Sequence, residues 1–223
     1  MQIQSHALSQ NHSQLRTLSP KQKIDRAIFL LTGAREDNQE ISDTFVSAAK
    51  ELKGGETHIK AIKFDRPSLD VSNHGKELRE QAGSASETLL AGRDEMTTLD
   101  TNTTQSQELI TSALKELEGR SSSITWRLES ALQDVTFLEK STLPIIKHLL
   151  SYPTQQLNQD LDPYLAEVEA DEPGRDVGHF ADDIEKIWNS ASHKTGSGPI
   201  YNRSATWSID NAIGYLKLAK QGF

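Results

Sequence analysis

The chain contains no cysteine, which removes disulfides, thiolate catalysis and cysteine-ligated zinc at once. That absence fits a reducing cytosol, and it fits equally a protein exported unfolded. No apolar run approaches the roughly 20 residues that a membrane-spanning helix needs. The longest apolar patch, Leu143 to Leu150, is interrupted by Pro144, Lys147 and His148. Met1 to Gln14 has no basic start followed by an apolar core, so no secretory signal peptide is expected. Clustered basic residues are missing too. The densest stretch, Lys60 to Arg66, holds three, and the net charge is -8. Phosphate backbones are recognised first through clustered Lys and Arg, so nucleic acid is not an expected partner.

Catalytic signatures are also absent. Gly-x-Ser-x-Gly, His-Glu-x-x-His, Gly-x-Gly-x-x-Gly and the EF-hand pattern do not occur. Lys194-Thr195-Gly196-Ser197-Gly198 has the residue types of a phosphate loop in the wrong order, with no preceding strand, and reads as a connector. His179 with Asp182, Asp183 and Glu185 resembles a metal-ligating cluster, because residues four apart share a helix face. The favoured reading is an acidic first turn complementing the helix dipole. His6, His12, His58, His74, His148 and His193 show no ligand spacing, and Arg79, Arg93, Arg120 and Arg127 read as exposed helix charges. The sequons at Asn11, Asn102 and Asn202 are expected to be chance. No catalytic, cofactor-binding or metal residue is therefore assigned, and no cofactor is expected.

What the chain does have is a heptad-like seam. Steps of three and four give Leu78, Ala82, Ala85, Leu89, Gly92, Met96, Leu99, Thr103, Ser106, Ile110, Ala113 and Leu117. After a shift of one, Ser121, Ile124, Leu128, Ala131, Val135, Leu138, Thr142, Ile145, Leu149 and Tyr152 continue it. Such spacing sets one helix face against a partner helix. Unbroken, the segment would extend on the order of 110 Å at about 1.5 Å per residue. The phase change beside Gly119 predicts an antiparallel hairpin turning there, with a stuttered continuous stalk as the alternative. Pro144 predicts a bend or restart with Thr142 as cap. Thr103 and Ser106 weaken the seam, so other helices must add apolar surface.

Those helices are expected on both sides. Residues 1–18 read as a disordered polar tail. Residues 19–55 read as a helical hairpin started by Ser19-Pro20, with Ile24, Ala27, Ile28 and Leu31, then Ile41, Phe45, Ala48, Ala49 and Leu52, turned inward. Gly33 and Gly54-Gly55 are the expected stops. Residues 56–75 read as a linker ended by Arg66-Pro67, and residues 76–152 as the long heptad-patterned helices. Residues 153–223 complete the bundle: Leu157, Leu161, Tyr164, Leu165 and Val168 share a face around an Asp162-Pro163 start, and 169–175 is a loop. Phe180, Ile184, Ile187, Trp188 and Ala191 form a stripe, 194–199 is a loop, and a last helix over about 206–220 is anchored by Trp207, Ile209, Ile213, Leu216 and Leu218.

The expected fold is all-α: an elongated helical bundle with a long coiled-coil-like hairpin, or one kinked long helix. The expected function is non-enzymatic, a scaffold or assembly subunit that binds protein partners or itself through helices. The residues expected to carry helix–helix association are Leu89, Met96, Leu99, Ile110, Leu117, Ile124, Leu128, Val135 and Leu138. Trp126 lies beside the seam and either docks inside the chain or faces a partner. The alternative function is a secreted bacterial effector or toxin-like helical protein. The expected location is cytoplasmic, or, on that alternative, outside the cell without a cleaved signal.

Overall fold

A computed structural model describes residues 17–64, 71–119, 122–170 and 177–223, without the side chains of Ser122 and Thr154. These residues are all-α, with no strand among them: α1 (Pro20–Phe64), α2 (Val71–Glu116), α3 (Ser122–Phe137), a π-turn (Leu138–Thr142), α4 (Leu143–Gln155), α5 (Leu157–Glu169) and α6 (Gly178–Lys220). Residues 1–16 of the expected 1–18 tail, the Arg66-Pro67 stop, Ser121 and most of the 169–175 loop lie outside the described residues.

α1 begins on a reciprocal cap. The Gln22 N–H donates to Ser19 Oγ at 3.4 Å and the Ser19 N–H donates to Gln22 Oε1 at 2.9 Å, with Pro20 at the first position, where no N–H is needed. From there a heptad seam runs to the helix end. Ile24, Ala27, Leu31, Ala34, Asn38, Ile41, Phe45, Ala48, Leu52, Gly55, Ile59 and Ile62 are all buried, while Ile28 and Ala49 lie half-buried at its edge. The expected hairpin over 19–55 is therefore one helix, and Gly33, Gly54 and Gly55 sit inside it. Most of the expected linker over 56–75 is helical as well, since α1 ends at Phe64 and α2 starts at Val71. Seam burial outweighs the roughly 1 kcal/mol that glycine costs a helix interior.

α2 and α3 form the expected hairpin. α2 ends at Glu116, and Gly119 follows with φ 79°, a left-handed conformation that glycine takes without strain. The seam set out above, from Leu78 to Leu117 and from Ile124 to Thr142, is buried at every described position. It then slips by one residue: Ile146 is buried and Ile145 exposed. The π-turn explains the slip, because the Leu143 N–H donates to the Leu138 carbonyl five residues back and so absorbs one extra residue. The wider turn immediately precedes Pro144, whose ring would otherwise meet the Lys140 carbonyl.

Three further expectations fail. α5 runs straight through Pro163, with Leu157, Leu161, Leu165 and Val168 buried. α6 spans Gly178–Lys220 without a loop at 194–199, because its seam continues through Thr195, Gly198 and Asn202 between Ala191 and Ala205. Within α6, Ile209, Ile213 and Leu216 are buried, whereas Trp207 and Leu218 face outward and are not anchors. Phe180, Tyr164 and Ile187 are half-buried.

The chain folds into two compact units. The first comprises Met1–Asn38, Thr97–Pro144 and Ser204–Phe223. Its arms are antiparallel. On α1 and α2, Lys23 Nζ reaches Ser112 Oγ at 3.0 Å while Asn102 donates to Asp37 at 3.2 Å. On α2 and α3, Gln107 donates to Thr136 Oγ1 at 2.9 Å and Thr104 to Glu139 at 3.4 Å. α6 closes the ring: Arg127 donates to the Leu218 carbonyl at 2.7 Å, and Asn38 donates to Thr206 Oγ1 at 2.9 Å. The buried Lys23 ammonium pairs with Glu116.

The second unit comprises Gln39–Met96 and Ile145–Arg203. Its core is built from large residues seated on glycines. Trp188 covers Gly55 and donates its indole N–H to the Leu52 carbonyl at 2.7 Å. Phe45 covers Gly198 in the same way. Arg79 forks between Glu169, at 2.8 Å, and Asp162, and Lys63 pairs with Asp182 at 2.7 Å and Glu185 at 3.0 Å.

Candidate functional site

All nine residues expected to carry helix–helix association are buried within the single chain. Leu89 and Met96 belong to the second unit; Leu99, Ile110, Leu117, Ile124, Leu128, Val135 and Leu138 belong to the first. These side chains fill the chain's own cores, each contributing on the order of 1.5–3 kcal/mol of apolar burial. They do not form a surface open to a partner.

The His179 cluster is dispersed into ordinary ion pairs. Asp182 is taken by Lys63 and Asp183 by Lys186 at 2.9 Å, while His179 is exposed and packs on Phe180, ring centroids 3.8 Å apart. The Lys63 hydrogen bond, aided by its charge, holds the Asp182 carboxyl below its ordinary range. Among the described residues no three His, Asp or Glu side chains converge on a point that could hold a metal. Lys194 is not in a loop; its ammonium sits 3.5 Å from the centre of the Tyr152 ring. The Tyr152 hydroxyl donates to Asp160 at 3.0 Å, and burial together with that bond pushes the phenol up to about 12. Arg79 and Arg127 are both engaged inside the chain. Of the described sequons, Asn102 donates to Asp37 and Asn202 is buried.

Outward-facing apolar side chains are the first feature left unabsorbed. On α3, Trp126 is 57% and Phe137 48% exposed, both on the side opposite Leu128 and Val135. Trp126 touches Tyr215 edge-on with centroids 5.8 Å apart, so it docks against α6 through one edge and offers the rest to solvent. Beside Phe137, along the outside of α3 and the π-turn, lies an open hollow of about 490 Å³ lined by Glu129, Leu132, Gln133, Thr136, Phe137, Lys140 and Ser141. Phe29 and Trp207, at 65% and 62% exposure, stand on the outer faces of α1 and α6 in the same unit.

The second feature is a histidine pair. His58 on α1 and His74 on α2 meet with their Nδ1 atoms 3.0 Å apart, half-buried, in the second unit. Sixteen residues and a helix change separate them in the chain, so a spacing rule written for one helix or one loop does not find them. Next to them an open groove of about 310 Å³ between α1 and α2 is lined by Lys50, Glu51, Gly54, Glu77, Glu80, Gln81 and Ser84. Gln81 buries a carbonyl oxygen there that has no hydrogen-bond partner. Among the described residues no helix is long and apolar enough to cross a membrane.

Comparison of the chain with protein-family models, with curated proteins and with solved structures returned no match to any of them.

Proposed function

We propose that this chain is a non-enzymatic assembly or scaffold subunit, with its coiled-coil-like seams used up in its own bundle and its protein partners docking on the outside of the first unit. The observation that carries this reading is the outer face of α3. Trp126 and Phe137 stand three helical turns apart on the surface, with an open hollow beside Phe137 that runs along the same outer side of α3. Large aromatics left in water in this arrangement fit a helix or extended segment of a partner, because their burial supplies most of an interface's energy from few residues. Seam residues are not used in this scheme, since freeing them would expose the core.

Site-specific photo-crosslinking in the source cells tests the proposal. A benzophenone side chain replacing Gln133, between the two aromatics, should give one discrete protein adduct. The same group at Lys50, on the second unit, should not give that adduct. Combining the Gln133 probe with Trp126→Ser and Phe137→Ser should abolish it, while circular dichroism stays unchanged. Equal adduct patterns at both positions, or an adduct indifferent to the two serines, would overturn the reading.

A further inference from the structure

We propose that His58 and His74 form a two-imidazole clamp for a divalent transition-metal ion of the nickel–copper class, joining α1 to α2 within the second unit. The two Nδ1 atoms stand 3.0 Å apart on rings tilted by 50° with centroids 5.2 Å apart. With metal–nitrogen bonds of about 2.0–2.1 Å, nitrogens at that spacing subtend roughly 95° at a shared ion. That angle matches two adjacent positions of a square-planar or octahedral ion better than two corners of a tetrahedron, once each ring, whose Nδ1 now faces the other almost head-on, swings to aim its lone pair at the ion. Imidazole nitrogen in such a geometry suits Ni²⁺ and Cu²⁺.

Without an ion, one Nδ1–H must donate to the other Nδ1, so the two rings hold different tautomers. Coordination needs both Nδ1 lone pairs. The donor ring therefore moves its proton to Nε2 through water, and none is released overall. Because no third His, Asp or Glu among the described residues converges on the pair, water is assigned to the remaining positions, which leaves the ion exchangeable. The neighbouring groove supplies an approach. Gly54 and Glu77 lie one helical turn from His58 and His74, and the groove carries Glu51, Glu77 and Glu80 against Lys50, a rim of net negative charge that concentrates cations.

The test uses the full chain stripped of metal and titrated with NiCl₂. Calorimetry should give one saturable equivalent. His58→Gln and His74→Gln should each weaken it by about tenfold or more, as loss of one of two ligands demands, while His148→Gln and His179→Gln should leave it within about twofold. In the wild-type protein, substoichiometric Ni²⁺ should broaden the ring resonances of His58 and His74 before those of any other histidine. That measurement stands even if a variant fails to fold. Unchanged affinity in both folded glutamine variants, or earlier broadening at another histidine (an adventitious ion only), overturns the proposal.

Discussion

Replacing Gly55 by alanine sets two helix effects of opposite sign against each other. Alanine is favoured over glycine in a helix interior by about 1 kcal/mol, so a helix free of neighbours would gain stability. Gly55 is not free of neighbours: a Cβ there would stand 2.0 Å from Cζ2, 2.6 Å from Cε2 and 2.7 Å from Cη2 of Trp188. Trp188 is itself fully buried and has no open side toward which to yield. Forcing an extra carbon into such a core costs about 1–3 kcal/mol in displaced side chains and backbone. Moving the indole also pulls its N–H off the Leu52 carbonyl, 2.7 Å away, and a buried donor without a partner costs about 1–3 kcal/mol. Gly55→Ala should therefore lower stability by about 1–5 kcal/mol once the propensity gain is set against these losses.

Guanidinium unfolding followed by far-ultraviolet circular dichroism measures the change. A double-mutant cycle with Trp188→Leu isolates its cause. The leucine variant removes the clashing ring and the stranded donor together, so Gly55→Ala should cost far less in that background, with a coupling equal to the two removed losses, about 2–6 kcal/mol. A Gly55→Ala protein more stable than wild type by the propensity increment alone would show that Trp188 is not seated on the glycine, and the reasoning would fail.

Gly83, Gly196 and Gly214 provide the opposite case: a Cβ at any of them meets nothing within 4 Å, so alanine should stabilise by about 0.5–1 kcal/mol each, read as a rise in thermal midpoint. Deleting Lys140 should turn the π-turn into α-helix, keep Thr142 and Ile146 on the buried side and leave Pro144 clashing in a helix interior at a cost of about 3 kcal/mol. Adding Pro144→Ala to the deletion should recover most of that loss in the same unfolding assay; no recovery would separate the π-turn from the proline. Tyr152 titrates at about 12 in the folded chain against 10.0 for a free phenol, raised by burial and then by Asp160. The stability it contributes is thus complete below pH 10 and drains away as pH rises from 10 toward 12. Tyr152→Phe should flatten that part of the stability–pH curve, and a curve unchanged in the variant would remove Tyr152 as its source.

The seam from Leu78 to Thr142 was legible because its positions are apolar or small and step by three and four without a break, except at the hairpin turn. The functional candidates were not. His58 and His74 become neighbours only once α1 and α2 lie antiparallel. The outward direction of Phe137 and Trp207 follows from seam phase rather than from any local motif. Beyond Thr142 the sequence pattern points to Ile145, an apolar residue in the expected place, whereas the π-turn rotates Ile146 inward. The one local hint of that rotation is Pro144, which announces a disturbance but not its size.

The seams of α1 and α6 were hidden for a different reason. They pass through Asn38, Gly55, Thr195, Gly198 and Asn202, residue types that read as caps, stops and loops. Three of them interrupt the apolar pattern locally and complete it across the bundle: Gly55 receives Trp188, Gly198 receives Phe45, and Asn38 donates to Thr206. A glycine costs a helix about 1 kcal/mol, while a buried Ile or Phe beside it contributes on the order of 1.5–3 kcal/mol. Two intact anchors per break are therefore enough to carry the helix through. From Val177 to Ala219 the steps of three and four never fail, even across Gly196, Gly198 and Pro199. In a chain of this kind, continuity of phase on both sides of a glycine or proline is the stronger signal, and a glycine on the seam itself, as Gly55 and Gly198 are, marks where a large side chain from another arm is seated.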